Sequence, residues 1–459
     1  MNATLLAILA YVLAQLGIGW WVAQRIRTED DYLVAGRSLG YGLAIFTIFA
    51  TWFGAETCVS AAGAIYESGL SGGSADPFGY AVCLFLMGLV FAVPLWKRRL
   101  TTMGDLFRQR FSPGVERLAV LLMVPTSLFW AAAQIRAFGQ VISSSSGLQV
   151  EITITVAALI VVVYTVSGGF LADAMTDLVQ GIALILGLGV LLVVVLMNGG
   201  AEAVSRVEPA RLQVLGGGAI PWYEVAEAWA IPVLGSVVAA ELVARVVATR
   251  TPTIARNSFL AGGAAYLGIG LIPVVLGLIG AEVLPGLEDP EQIVPRLAQI
   301  HLPGVLYVLF AGALVSAILS TVDSTLLTAS SLVSHNLIVP LRPGLSEAAK
   351  VRSARIGVAL FGVLACVMAL SAEAVYTLVE QSSAFGSAGI VVTVTFGLFT
   401  QLGGPASALA ALLAGVGVWV VGNYVLELPW AYLAAVGASV VAYATGALFE
   451  RAHAVTGPG

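Results

Sequence analysis

The chain has 459 residues, of which 59% are hydrophobic and 10% charged, with a formal net charge of −5. Soluble globular chains carry about 25% charged residues, so this composition excludes an ordinary soluble protein. A mean hydropathy of +0.96 and 51 glycines point the same way, because glycine is more frequent in membrane helices than in soluble ones.

A helix needs about 20 apolar residues to cross the hydrocarbon. Thirteen segments qualify as candidates: 4–24, 39–65, 78–96, 118–143, 150–168, 176–197, 222–247, 257–281, 303–335, 353–371, 374–400, 404–422 and 428–450. The first lacks a basic leader region and is read as a spanning helix that stays, not as a signal peptide. With the N-terminus outside, 17 of the 21 basic residues fall on inner segments, as the positive-inside rule requires. Arg245 is counted among them, and Arg136 falls inside a span in need of a partner. The connections between spans are too short for a soluble domain. Cys58, Cys83 and Cys366 are isolated in apolar stretches, and His301, His335 and His453 are scattered. No metal spacing or disulfide framework follows from them.

Many secondary transporters consist of two inverted repeats whose first helices are broken at the binding site. Segments two to six and seven to eleven have the layout of such repeats. Segment two carries Ala50-Thr51-Trp52-Phe53-Gly54-Ala55-Glu56-Thr57, and segment seven carries Pro232-Val233-Leu234-Gly235-Ser236. Both place Gly or Pro at mid-span, the composition of a helix break.

The most informative stretch is Ala317-Ile318-Leu319-Ser320-Thr321-Val322-Asp323-Ser324-Thr325 in segment nine. Ala317, Ser320, Thr321 and Ser324 recur at helical spacing and share a face. Hydroxyls and freed carbonyls are oxygen ligands that suit a hard cation. The competing reading is hydrogen bonding to neighbouring helices; Asp323 shifts the balance, since an acid at a helix centre is functional by default. Further acids at membrane depth are Glu56, Asp173, Asp177, Glu241 and Glu380. Glu241 and Arg245 stand four apart and are expected to pair. For Asp173, which shares a helix face with Asp177, the cytoplasmic surface is the competing reading, and Glu380 is left between pocket and neighbour. Trp52, Tyr80 and Trp130 are mid-span aromatics whose faces suit a cationic or apolar part of a solute.

Four ordered motifs carry a resemblance: DYLVAGRSLG at 31–40, ATWFGAET at 50–57, YTVSGGFLADAMTDLVQ at 164–180 and SAILSTVDSTLLTASS at 316–331. On these the chain resembles the sodium/solute symporters, the family of proline, sialic acid and sugar symporters and of the high-affinity choline transporter. The resemblance implies an all-α polytopic membrane protein with a LeuT-like five-plus-five core and alternating access. The extra N-terminal helix and first loop would be 1–38, and the core 39–400, with repeats 39–197 and 222–400. Two extra C-terminal helices would fill 401–459. It further implies a sodium site at Ala50, Phe53, Ala317, Ser320 and Thr321. A second cation or proton site would involve Asp177, Asp323 and Ser324. The solute would meet Trp52, Glu56, Thr57, Tyr80 and Trp130, which include the counterparts of the choline transporter's aromatic cage. The cage's tryptophan on the second broken helix is replaced here by Ala239.

The leading expectation is therefore sodium-coupled symport of a small polar solute: a zwitterion, carboxylate, sugar or amine. A proton-coupled symporter, a choline or quaternary-amine transporter and a non-transporting membrane sensor stay open. An enzyme is not expected. The expected partners are the solute, sodium and the bilayer of the inner cell membrane, with no nucleic acid and a cytoplasmic C-terminus. A monomer is one open reading of the assembly.

Overall fold

The computed structural model describes residues 3–218, 220–372 and 375–456. Residue 374, which opens predicted segment eleven, and the ends 1–2 and 457–459 of the predicted terminal domains lie outside the described residues. Fifteen helices carry the architecture. They are α1 (Ala3–Ala23), α2 (Tyr41–Trp52), α3 (Ala61–Ser68), α4 (Tyr80–Leu86), α5 (Pro113–Ser146), α6 (Val150–Val195), α7 (Trp222–Ser236), α8 (Ala240–Ala248) and α9 (Pro252–Val283). The rest are α10 (Gly304–Val333), α11 (Glu347–Ser371), α12 (Val375–Ala384), α13 (Ser387–Phe399), α14 (Pro405–Tyr424) and α15 (Ala431–Thr456). The extended pairing among the described residues is a single bridge between Leu39 and Thr249.

Local sequence explains where these helices start. Before α5, Ser112 accepts the N–H of Val115 at 3.3 Å, and Pro113 follows in the first helical turn. Before α9, Thr251 accepts the N–H of Ile254 at 3.2 Å, and Pro252 follows. Each hydroxyl satisfies a backbone donor that a helix start leaves open, and proline there has no N–H to waste.

Nine helices among the described residues are long and apolar enough to span a membrane, ten if a bent pair counts as one. Three shorter apolar helices, Leu13–Ala23, Tyr41–Trp52 and Val150–Val163, fall in predicted segments one, two and five. Glu56–Lys97 runs as one helical stretch by hydrogen bonding, although two predicted segments share it. Gly69 (φ 71°, ψ −157°) and Asp76 (φ −138°, ψ 127°) leave the helical region and separate its halves.

Both predicted breaks exist, one of them displaced. The first falls after α2, where Phe53 (φ −93°, ψ 73°) leaves the helix and Gly54 follows before the chain resumes a π-turn over Glu56–Ser60 and then α3. The second separates α7 from α8, which are bent by 42°. It lies at Val237–Ala239, with Ala239 extended (φ −54°, ψ 140°), and not at Pro232–Ser236 as expected. Pro232 stays inside α7. Gly235 serves close packing instead: a Cβ there would stand 2.1 Å from the carbonyl oxygen of Ser383 on α12. Inside α6, Gly169 at φ 62° marks the predicted break between segments five and six.

At the centre stands α10, packed against α2, α5, α6 and α8. Every residue from Ala313 to Leu332 is buried. A helix buried all round places its polar groups where only partner helices, ions or solutes can satisfy them.

Candidate solute and cation site

The break after α2 meets α10 edge on. Thr321 Oγ1 donates to the carbonyl of Thr51 at 2.9 Å. Gly54 sits so close that an added Cβ would lie 2.8 Å from Thr321 Oγ1, 2.8 Å from Gln134 Oε1 and 2.4 Å from Glu56 Oε2. Ala50, Phe53, Ala317, Ser320 and Thr321 are all fully buried. The five predicted sodium ligands therefore come from two helices in contact, one of which has left its regular hydrogen bonding at Phe53. Freed carbonyls beside hydroxyls make an oxygen-rich setting for a hard cation.

The aromatic residues gather beside the break. Trp52 and Trp130 meet edge to face with centroids 4.6 Å apart, and Trp52 and Tyr80 do so at 6.1 Å. These three rings line a narrow cavity of about 40 Å³ between α2, α5, the α7–α8 break and α12. Serines edge it: Tyr80 shares a hydrogen bond with Ser383 at 2.9 Å, and Ser236 donates to Ser383 at 3.1 Å. A second, larger cavity of about 240 Å³ shares Tyr80, and five acids are among its lining residues, Glu56, Asp76, Glu224, Glu227 and Glu380. Glu227 uses its carboxylate on the N–H groups of Tyr432 (2.6 Å) and Leu433 (2.9 Å) at the start of α15. Glu56, on the wall of the second cavity, accepts from Trp130 Nε1 of the first at 3.0 Å and from Gln134 Nε2 at 2.5 Å. Thr57 lines neither cavity; its hydroxyl donates to Asp76 at 2.7 Å and meets Tyr266 at 2.9 Å.

A model of the sodium:solute symporter family matches residues 32–415. The chain belongs to that family. It is 30% identical over 406 residues to High affinity choline transporter 1 of Homo sapiens, covering 83% of this chain and 70% of that protein. Against High-affinity choline transporter 1 of Caenorhabditis elegans it is 28% identical over 411 residues, with coverages of 82% and 70%. The structure of a Na+-coupled sialic acid symporter in a substrate-bound, outward-open state superposes with a TM-score of 0.84 at 17% identity, over 97% of this chain and 98% of that one. The fold is thus that of the LeuT-like transporters, and sodium-coupled symport of a small solute is the activity that goes with the family.

In this symporter the second predicted site is split. Asp177 accepts from Thr47 at 2.5 Å and also from Ser320. Ser324 bonds Thr51 at 3.2 Å and donates to Asp173 Oδ1 at 2.9 Å. These groups form one buried network with Arg245, whose Nη2 lies 2.9 Å from Asp173 Oδ2 and 3.8 Å from Asp177 Oδ2. Asp323 is elsewhere: it accepts from Thr165 on α6. The helical turn explains this. At about 100° per residue, Asp323 lies roughly 160° round α10 from Thr321, whereas Ser324 lies between Ser320 and Thr321.

Three expectations change with this network. The side chains of Glu241 and Arg245 do not pair. Arg245 reaches past Glu241, touching only its backbone carbonyl at 3.2 Å, because two carboxylates on α6 offer a stronger partner than one on its own helix. Asp173 is buried within the bundle rather than at the cytoplasmic surface, and Arg245, 1% exposed, leaves the tally of inner-surface cations. Glu241 instead lines the aromatic cavity, where Ser127 donates to it at 2.5 Å. Arg136 finds the carbonyl of Ala369 at 3.1 Å, and Glu380 lines the acidic cavity.

Sequence reasoning missed Gln134. Its Oε1 accepts the N–H of Ala55 at 2.9 Å and its Nε2 donates to Glu56. One amide side chain on α5 so satisfies a backbone donor released by the break and fixes the neighbouring acid. An amide at mid-span in the run Ala131-Ala132-Ala133-Gln134 was the available signal, since polar residues in such helices bond across to partners.

Proposed function

We propose that this symporter imports a small solute with a cationic group, driven by sodium. Sodium would be held by the carbonyls of Ala50, Phe53 and Ala317 and the hydroxyls of Ser320 and Thr321. The solute would be held by Trp52, Tyr80 and Trp130 with Glu56 at the entrance. The observation that carries this reading is the three-ring cavity, set beside the α2 break and sharing Tyr80 with a cavity whose charged lining groups are all acids. Aromatic faces and carboxylates both favour cations. An ion at Phe53 would order the residues on either side of it, Trp52 and Glu56, which gives the reciprocal coupling that symport needs. The five-plus-five division at 39–197 and 222–400, the thirteen spans, the inner cell membrane and an outer N-terminus belong to the same proposal.

A second reading has one specific observation behind it. Asp173 and Asp177 face a single guanidinium in a buried network, so one carboxylate is in surplus and offers a place for a second cation or a proton.

Proteoliposomes loaded with potassium and diluted into sodium test both. Uptake of a cationic solute that requires outside sodium supports sodium coupling. Uptake driven by an acid-outside gradient without sodium transfers the role to the Asp177 network.

A further inference from the structure

Glu241 is a buried carboxylate that the sodium position, the Arg245 network and the three rings leave unused. It stands in the first turn of α8, directly after the break, and it lines the aromatic cavity with Trp52, Tyr80 and Trp130. Among the described residues, its carboxylate accepts from Ser127 and from its own backbone N–H. Arg245, the cation one turn away, is turned to Asp173. Two residues before Glu241 stands Ala239, a small side chain that also lines the cavity. On the opposite wall, Trp52 is buried with an indole N–H that has no acceptor among the described residues.

We infer that Glu241 selects solutes whose ammonium carries N–H groups, a primary or secondary amine with an oxygen acceptor, over quaternary ammonium solutes. The inference rests on the reading that the aromatic cavity holds the solute. Ring faces attract any cation, methylated or not. A carboxylate distinguishes them, because a charge-assisted hydrogen bond needs an N–H, and four carbon substituents on nitrogen leave none. A buried polar group left without its partner penalises the wrong ligand more than the right one gains. Ser127 and the residue's own N–H hold the carboxylate in place, and its remaining lone pairs are left for the solute. An oxygen on the solute, hydroxyl or carboxylate, would answer the Trp52 N–H.

The test is a methylation series on one skeleton. Binding of 2-aminoethanol and its mono-, di- and trimethylated ammonium forms is measured by calorimetry on the purified full-length symporter in sodium. The primary and secondary members should bind about ten-fold or more tightly than the trimethylated one. In Glu241→Gln that preference should largely disappear, while Glu241→Asp keeps the order at lower affinity. A melting shift by sodium alone, retained in both variants, shows that they are folded. A flat series in the parent protein, tightest binding of the trimethylated member, or an unchanged order in Glu241→Gln overturns the role of Glu241 and leaves the cationic-solute reading standing. No binding by any of the four would overturn both.

Discussion

Thr321 on α10 donates its hydroxyl to the carbonyl of Thr51, 2.9 Å away, at the point where α2 stops being a helix. The contact ties the unbroken central helix to the broken one, and an ion placed there would touch both.

Replacing either hydroxyl of that face should therefore change sodium dependence more than stability. For Thr321→Ala and Ser320→Ala the expected loss is about 1.5–3 kcal/mol of sodium binding, roughly ten- to hundred-fold in apparent affinity. Sodium titration of uptake measures it, and parent-like sodium dependence in both variants would remove these residues from the site.

Gln134 should behave as a keeper of the break. Gln134→Leu preserves bulk but strands the Ala55 N–H and releases Glu56. An unsatisfied buried donor costs about 1–3 kcal/mol. The variant should melt lower and lose both sodium and solute affinity together. Loss of solute affinity alone would contradict a shared hinge.

Arg245 is held between Asp173 and Asp177 at 1% exposure. Arg245→Met leaves both carboxylates without their cation, at an expected cost of about 3–5 kcal/mol. The double variant Arg245→Met/Asp173→Leu removes one stranded acid and should recover part of the lost melting temperature. An Arg245→Met protein as stable as the parent would mean that the ion pair is dispensable.

Away from the spans, Asp105 accepts the N–H groups of Thr101 (2.8 Å) and Thr102 (3.0 Å) and faces His335 at 3.3 Å. Burial pushes its carboxyl up, but His335 and these backbone donors outweigh burial and hold it below the usual carboxylate range. A depressed acid stabilises the fold above its unfolded pKa of about 3.9 and loses that contribution as pH falls through the lower folded value. Asp105→Asn should lower the melting temperature at neutral pH and flatten its decline below about pH 4. Parallel curves for parent and variant would count against the shift.

The parts legible in the sequence were those written in local pattern. Apolar length gave the all-helical membrane class, though not a confirmed count of thirteen spans; Gly54 near Trp52 gave the first break, and the spacing of Ala317, Ser320, Thr321 and Ser324 gave the polar face of α10. What stayed hidden depends on which helices meet. Arg245 has Glu241 one turn away in sequence and chooses Asp173, 72 residues away. Gln134 and Ala55 are 79 apart. Asp323 drew attention by its charge, yet the helical turn sends it to Thr165. The second break lies at Val237–Ala239, while Gly235 packs against Ser383 on α12, a contact that composition cannot express.

The most direct test of the account is whether sodium and a cationic solute bind as one event. Melting of the purified protein is followed in sodium and in potassium at equal ionic strength, with and without a saturating small ammonium solute. Ligands that bind the folded state raise the melting temperature, and coupled ligands raise it together by more than the sum of their separate effects. The account predicts a solute shift that is large in sodium, small in potassium and lost in Thr321→Ala. An equal solute shift in both salts would contradict it.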